Sequence, residues 1–215
     1  NKLKLTNLEY LDCCEEKKYS EESAKLEDKY FRRFNTTQIS VNIIDPQSPP
    51  KVKYDIFRRL NTGGMQLNQQ EIRNCLASAT LRNTLNEMIQ LPAFKKATGN
   101  MSNLRMQAAE LALRYIFFKN LSDGDGVAYY SGRMDDELDK CVDEMSKKGS
   151  SELAVYVETF SNAMKNSFYL FGRHCFRKVS QNSDDFSERS VLNKLLFTSW
   201  SVVLSRYDYD EIKEK

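Results

Sequence analysis

The residue types that could do chemistry gather over positions 54–76. Arg58 and Arg59 come first, then Asn61-Thr62-Gly63-Gly64, then Asn68, and then Gln70-Glu71-Ile72-Arg73-Asn74. A helix ending in two arginines would lead into a diglycine turn able to expose its N–H groups, and from there into a new helix N-terminus with its positive dipole. That combination suits an anion. A phosphate could sit among those amides with Arg58, Arg59 or Arg73 compensating its charge, while Asn61, Gln70 or Asn74 hydrogen-bond a base or ribose. The plainer alternative makes Gly63 and Gly64 a C-cap and tight turn, with the arginines in water or paired with Asp55 and Glu71. The turn is neither a Walker loop nor a dinucleotide fingerprint, because the Lys-Ser/Thr pair and the third glycine are absent.

Other reactive groups are sparse. His174 is the only histidine, and the five cysteines (Cys13, Cys14, Cys75, Cys141 and Cys175) form no CxxC pair, which leaves little material for a zinc site. Neighbours on a helix point about 100° apart, so His174 and Cys175 make a poor nucleophile pair; His174 reads as a residue late in a helix and the cysteines as small core groups. Asp135-Asp136-Glu137 with Asp139 could hold Mg²⁺, but the lysines around them favour a solvated helix with i,i+4 pairs. Asp123-Gly124-Asp125-Gly126 lacks the rest of a calcium loop. Basic residues interleave with aromatics at Tyr30-Phe31-Arg32-Arg33-Phe34 and over 171–178, where DNA phosphates could be contacted.

The elements that must carry these groups follow from periodicity. Residues 21–35 have helical spacing, and 37–44 alternate Ile39, Val41 and Ile43 with polar neighbours, the period of a half-buried strand ended by Pro46, Pro49 and Pro50. Beyond Pro50 the pattern is helical. Val52, Ile56, Phe57 and Leu60 form a short face. Asn68 with Glu71 three residues on spells a capping box. Further helices are expected at 80–90, 91–97, 103–120, 133–148, 151–178 and 189–206, with loops at 122–132 and 180–188.

With 32 basic and 30 acidic residues the chain is too balanced for electrostatics to announce a nucleic-acid binder, and 12 Phe with 11 Tyr argue against disorder. No 18-residue apolar run and no secretory pattern occur, so a reduced, cytoplasmic protein without a membrane partner is expected. The chain starts at Asn1, as a fragment of a longer protein would.

The run Phe57-x-Arg59-Leu60-Asn61-Thr62-Gly63-Gly64-x-x-Leu67-Asn68-x-Gln70-Glu71-Ile72-Arg73-Asn74 resembles a signature of the N-terminal domain of GmrSD-type restriction endonucleases, a family related to the ParB/sulfiredoxin fold. The segment 39–46 resembles the strand before it, Arg105-Met106 with 110–115 its following helix, and 130–134, 171–178 and 193–197 later landmarks. The family's Asp-Gly-Gln-Gln-Arg signature is missing, which implies a chain that begins just after it.

The resemblance implies an α+β, mostly helical architecture: a small ParB-like α/β remnant over 1–79 with one clear strand, then a multi-helix bundle over 80–215. It implies part of a phage-defence protein whose complete domain binds and hydrolyses NTP, GTP or ATP with Mg²⁺, to control cleavage of foreign or modified DNA. A nuclease domain or subunit would be its partner, since one histidine cannot build an HNH centre. Arg58, Asn61, Thr62, Gly63 and Gly64 would wall the nucleotide pocket, and Gln70, Glu71, Arg73 and Asn74 would line or brace it. The alternative is a non-catalytic module of such a system that recognises a partner subunit or DNA.

Overall fold

Capping and breaking residues set many of the helix ends in the computed structural model, which describes residues 5–6, 10–18, 25–41, 43, 48, 52, 56, 59, 66–124, 130–178 and 190–214. The chain divides into two compact units, Asn1–Gln47 and Ser48–Lys215.

In the first unit a 3-10 turn at Asp12–Cys14 is followed by an isolated parallel bridge between Lys18 and Lys25. Leu5 N donates to Lys17 O (3.0 Å) and Glu16 N to Leu5 O (2.9 Å), while Cys14 and Leu26 are buried. Helix α1, Asp28–Thr36, buries none of its side chains. The strand expected over 37–44 is not formed: the described residues there have no regular structure, and Ile39, Val41 and Ile43 are 83%, 74% and 88% exposed. Among the described residues there is no strand or sheet anywhere, so the ParB-like α/β remnant gives way to a mostly helical chain. The reason is physical. Alternation marks which face of an extended segment would be covered, but a strand exists only when a neighbour completes its hydrogen-bond ladder.

The second unit is a helical assembly. Val52, Ile56 and Arg59 are helical and exposed. Helix α2, Gln69–Leu76, opens on the expected capping box, Asn68 Oδ1 accepting from Glu71 N (2.8 Å) and Glu71 Oε2 from Asn68 N (2.7 Å). Ser78 caps α3, Ala79–Gln90, by accepting from Leu81 N. Pro92 starts α4, Pro92–Thr98, where its missing N–H costs nothing, and Gly99 stops it at φ 78°. A 3-10 turn at Leu104–Met106 precedes α5, Gln107–Asp123. The continuous helix expected from 103 begins four residues late because Arg105 and Met106 both take left-handed backbone (φ 54° and 58°).

Helix α6 spans Met134–Met145 and α7 spans Ser150–Phe171. Gly172, at φ 53° and ψ −134°, ends α7 seven residues before the expected limit, so His174 falls in a 3-10 turn, Gly172–His174, rather than in the helix. Asn193 caps α8, Lys194–Leu204, by accepting from Leu195 N and Leu196 N, and a capping box at Asp208 opens α9, Tyr209–Lys213. The loop expected at 180–188 lies outside the described residues.

Helix α7 is the axis of packing, in contact with α3, α4, α8 and α9, while α5 packs on α3, α6 and α8. Their shared core is aromatic. Phe160 meets Tyr115 (4.9 Å between centroids), Phe94 (5.6 Å) and Phe197 (6.2 Å), and Phe176 closes on Phe197 at 4.7 Å. Each such ring buried is worth roughly 1.5–3 kcal/mol of transfer free energy. Helix α2 sits at the margin of this core, against α6, α5 and the Leu104–Met106 turn.

Candidate functional site

The chemistry expected of residues 58–74 depends on where their polar groups go. Arg58, Asn61, Thr62, Gly63 and Gly64 lie outside the described residues; Gln70, Glu71, Arg73 and Asn74 lie on α2. The helix has eight residues and one buried face, made by Gln70, Ile72 and Arg73.

Arg73 is 3% exposed, and its guanidinium is occupied. Nε donates to Asp139 Oδ1 at 2.6 Å, and one terminal nitrogen donates to Asp135 Oδ1 at 2.7 Å and to the Asp135 carbonyl at 3.1 Å. Asp135 and Asp139 stand four residues apart on α6, hence on one face, and present two carboxylates to the forked cation. Burial works against the charge of Arg73, yet the bonds from Asp135 and Asp139 outweigh it and hold its pKa above the ordinary value. Burial pushes the Asp139 carboxyl up, and Arg73 pulls against that shift. Half of the acidic cluster expected to be a solvated face is therefore a receptor for Arg73. Glu137 takes a hydrogen bond from Ser131 Oγ (2.6 Å) and lies near Lys140 (3.3 Å), and the Ser131 bond holds its carboxyl below the usual range.

Glu71 closes the other end of α2. Beyond the capping box it pairs with Arg105 (3.0 Å), whose same terminal nitrogen donates to Gln66 O (2.6 Å). Asn68 Nδ2 in turn donates to Arg105 O at 2.8 Å. The start of α2 is thus tied reciprocally to the Leu104–Met106 turn, and the left-handed backbone at Arg105 aims its carbonyl and guanidinium at the same short stretch. Gln70 is 3% exposed, and its Oε1 has no hydrogen-bond partner. Asn74 is half-buried.

Two cavities of the second unit lie away from these residues. One of about 500 Å³ is lined by Gly99, Met101, Gln107, Arg177 and Lys194 with their neighbours, and one of about 270 Å³ by Thr80, Asn83, Glu87 and Ser150 with theirs. Arg177, in the second basic and aromatic stretch, donates to the carbonyls of Cys175, Ser190 and Thr98 at 2.7–2.8 Å. Lys194 bonds Glu110, which also holds Arg114. Burial favours the neutral form of Glu110, and Lys194 with Arg114 more than reverse this, leaving its carboxyl below the usual range.

Cys141 and Cys175 are buried in the core, burial pushing the Cys141 thiol up to about 12, while Cys13 and Cys75 are exposed. Among the described residues no three His, Cys, Asp or Glu side chains gather as metal ligands. Among the described residues no helix is long and apolar enough to cross a membrane.

Comparison with protein-family models, curated proteins and solved structures yields no match.

Sequence reasoning missed Arg105, Asp135 and Asp139 as partners of the motif. The i,i+4 spacing of the two aspartates was a visible signal for a two-carboxylate receptor. Its cation, more than sixty residues earlier, was not.

Proposed function

We propose that the chain is a non-catalytic interaction module of a defence protein similar to the GmrSD-type restriction systems, in which Asn68, Glu71 and Arg73 fasten the start of α2 to the helical body. The observation that carries this is the engagement of Arg73: its guanidinium is buried, its charge is already met by two carboxylates, and Nε with one terminal nitrogen is spent on them and on a carbonyl, so a phosphate would have to displace Asp135 and Asp139 to take their place. Asn68 and Glu71 are equally committed, to each other and to Arg105. On this reading Asn68, Glu71 and Arg73 serve construction. Recognition then falls to surfaces of the helical body toward a nuclease domain, a partner subunit or DNA.

The experiment is a thermal shift with GTP or ATP and Mg²⁺. A ligand at 100 times its dissociation constant stabilises by about 2.7 kcal/mol, or roughly 5–11 °C at ~2–4 °C per kcal/mol for a chain of this size. The module reading expects no shift and no phosphate release.

One observation favours a second reading, the nucleotide pocket. Gln70 Oε1 is buried without a partner, a cost of about 1–3 kcal/mol that a ligand donor would relieve. In that reading Arg58, Asn61, Thr62, Gly63 and Gly64 make the contacts and Gln70 completes them, so a thermal shift abolished by Arg58→Ala would replace the module with the pocket.

A further inference from the structure

Cys13 and Cys14 stand side by side on the 3-10 turn Asp12–Cys14. Successive side chains on such a turn point about 120° apart. Here the two sulfurs nevertheless lie 3.9 Å from each other. Three backbone bonds pin the turn that holds them: Cys14 N to Leu11 O (2.7 Å), Glu15 N to Asp12 O (3.0 Å) and Lys17 N to Cys14 O (3.1 Å). Cys14 is 3% exposed, while Cys13 opens to solvent and its Sγ donates to the Tyr30 hydroxyl of α1 at 3.4 Å. A reagent can therefore enter at Cys13 and find the second thiol behind it.

What such a pair can hold follows from its dimensions. A direct disulfide requires the sulfurs to close to about 2.05 Å, and its Cα atoms usually stand ~4.4–6.8 Å apart. Adjacent residues fix that separation at about 3.8 Å, so a disulfide between them is strained and readily reduced. One bridging atom suits the pair better. With bonds of about 2.3 Å, the length of zinc to sulfur, two sulfurs on one centre stand ~3.8 Å apart at a tetrahedral angle. Zinc would need further ligands, and among the described residues no third His, Cys, Asp or Glu joins the two cysteines.

We infer that Cys13 and Cys14 form a dithiol site for a trivalent arsenical, a thiophilic centre that takes two thiols and keeps one oxygen or organic group as its third ligand. The step is a condensation with no change of oxidation state. Arsenous acid, As(OH)₃, reacts with both thiols to give a dithiolate of As–OH and two waters: two As–S bonds replace two As–O bonds, and each S–H proton leaves on a departing hydroxide. Reactants and product are all uncharged. That matters at Cys14, where burial and the neighbouring Cys13 thiol push the pKa up and so disfavour the thiolate that a cationic metal needs. The pair differs in this from exposed Cys75, which has no neighbouring cysteine in the sequence to supply the second bond.

Equilibrium dialysis of the full, reduced chain against sodium arsenite, with intact and peptide mass spectrometry, reads this directly. One arsenic per chain is expected, on the peptide that holds Cys13 and Cys14. Losing either thiol turns a chelate into a single bond, so Cys13→Ser and Cys14→Ser should each weaken binding roughly tenfold or more. Cys75→Ala should bind as the wild type does, and equimolar zinc should leave the arsenic in place. Circular dichroism checks the fold of each variant; Cys13→Ser changes an exposed residue and carries the test if Cys14→Ser fails to fold. No arsenic retained at millimolar arsenite, retention unchanged in Cys13→Ser, an adduct on other cysteines, or displacement by equimolar zinc would each overturn the proposal.

Discussion

Replacing Arg73 tests whether the motif is structural or ligand-binding. In Arg73→Ala the chain loses the bonds to Asp139, Asp135 and the Asp135 carbonyl, together with a buried aliphatic stem. Removing one partner of a buried ion pair costs about 3–5 kcal/mol. Asp135 is 66% exposed and Asp139 36%, so water takes up part of the loss and the lower end, about 3 kcal/mol, applies. At ~2–4 °C per kcal/mol the melting transition falls by roughly 6–12 °C. Arg73→Lys keeps the charge without the fork and should lose less, about half as much.

Urea unfolding followed by circular dichroism measures these losses, and a double-mutant cycle with Asp139→Asn isolates the pair, with an expected coupling of about 1–2 kcal/mol. A cost below about 1 kcal/mol for Arg73→Ala, together with a coupling near zero, would refute the clamp and return Arg73 to the list of ligand contacts.

Glu110 supplies a pH dependence. Its carboxyl lies below the ordinary 4.5, so the stability it contributes is present above that value and drains away as pH falls through the lowered pKa; urea midpoints taken from about pH 7 to pH 3 should drop more steeply for the wild type than for Glu110→Gln. Asn166, fully buried, donates through Nδ2 to Leu204 O (2.9 Å) and Tyr207 O (2.8 Å), so Asn166→Ala should cost about 2 kcal/mol by the same urea assay, with the C-terminal end of α8 exchanging its amides faster. At Gly172 a Cβ would meet nothing within 4 Å, which leaves backbone strain alone, and Gly172→Ala should lose about 1–3 kcal/mol at unchanged helicity. Thiol labelling should mark Cys13 and Cys75 at once, and Cys141 and Cys175 only after denaturant is added.

Much of the helical chain was legible because its signals are local. Asn68 and Glu71 cap the same turn they spell, Pro92 and Gly99 bracket α4, and α5 stops at Asp123, beside Gly124. What failed was long-range or conditional. Ile39, Val41 and Ile43 alternate as a strand does, yet lie exposed, because pairing is a property of two segments and the pattern describes one. Arg105 and Met106 read as helix by composition and turn left-handed. The two described ties at that turn, from Asn68 to the Arg105 carbonyl and from the Arg105 guanidinium to Glu71 and Gln66 O, join it to residues more than thirty positions away.

For the candidate site, the sequence alone determined the cast: an arginine, amides and a capped helix start next to two glycines, with Asp135 and Asp139 four residues apart on a later helix. Only the tertiary structure decided that Arg73 of α2 meets those two aspartates, and so which of its possible partners it takes. Helix ends are settled by side chains within a turn of the backbone they cap. The partner of a buried charge is settled by which surfaces pack together, and that depends on the whole apolar core around Phe160 rather than on any stretch that can be read by itself.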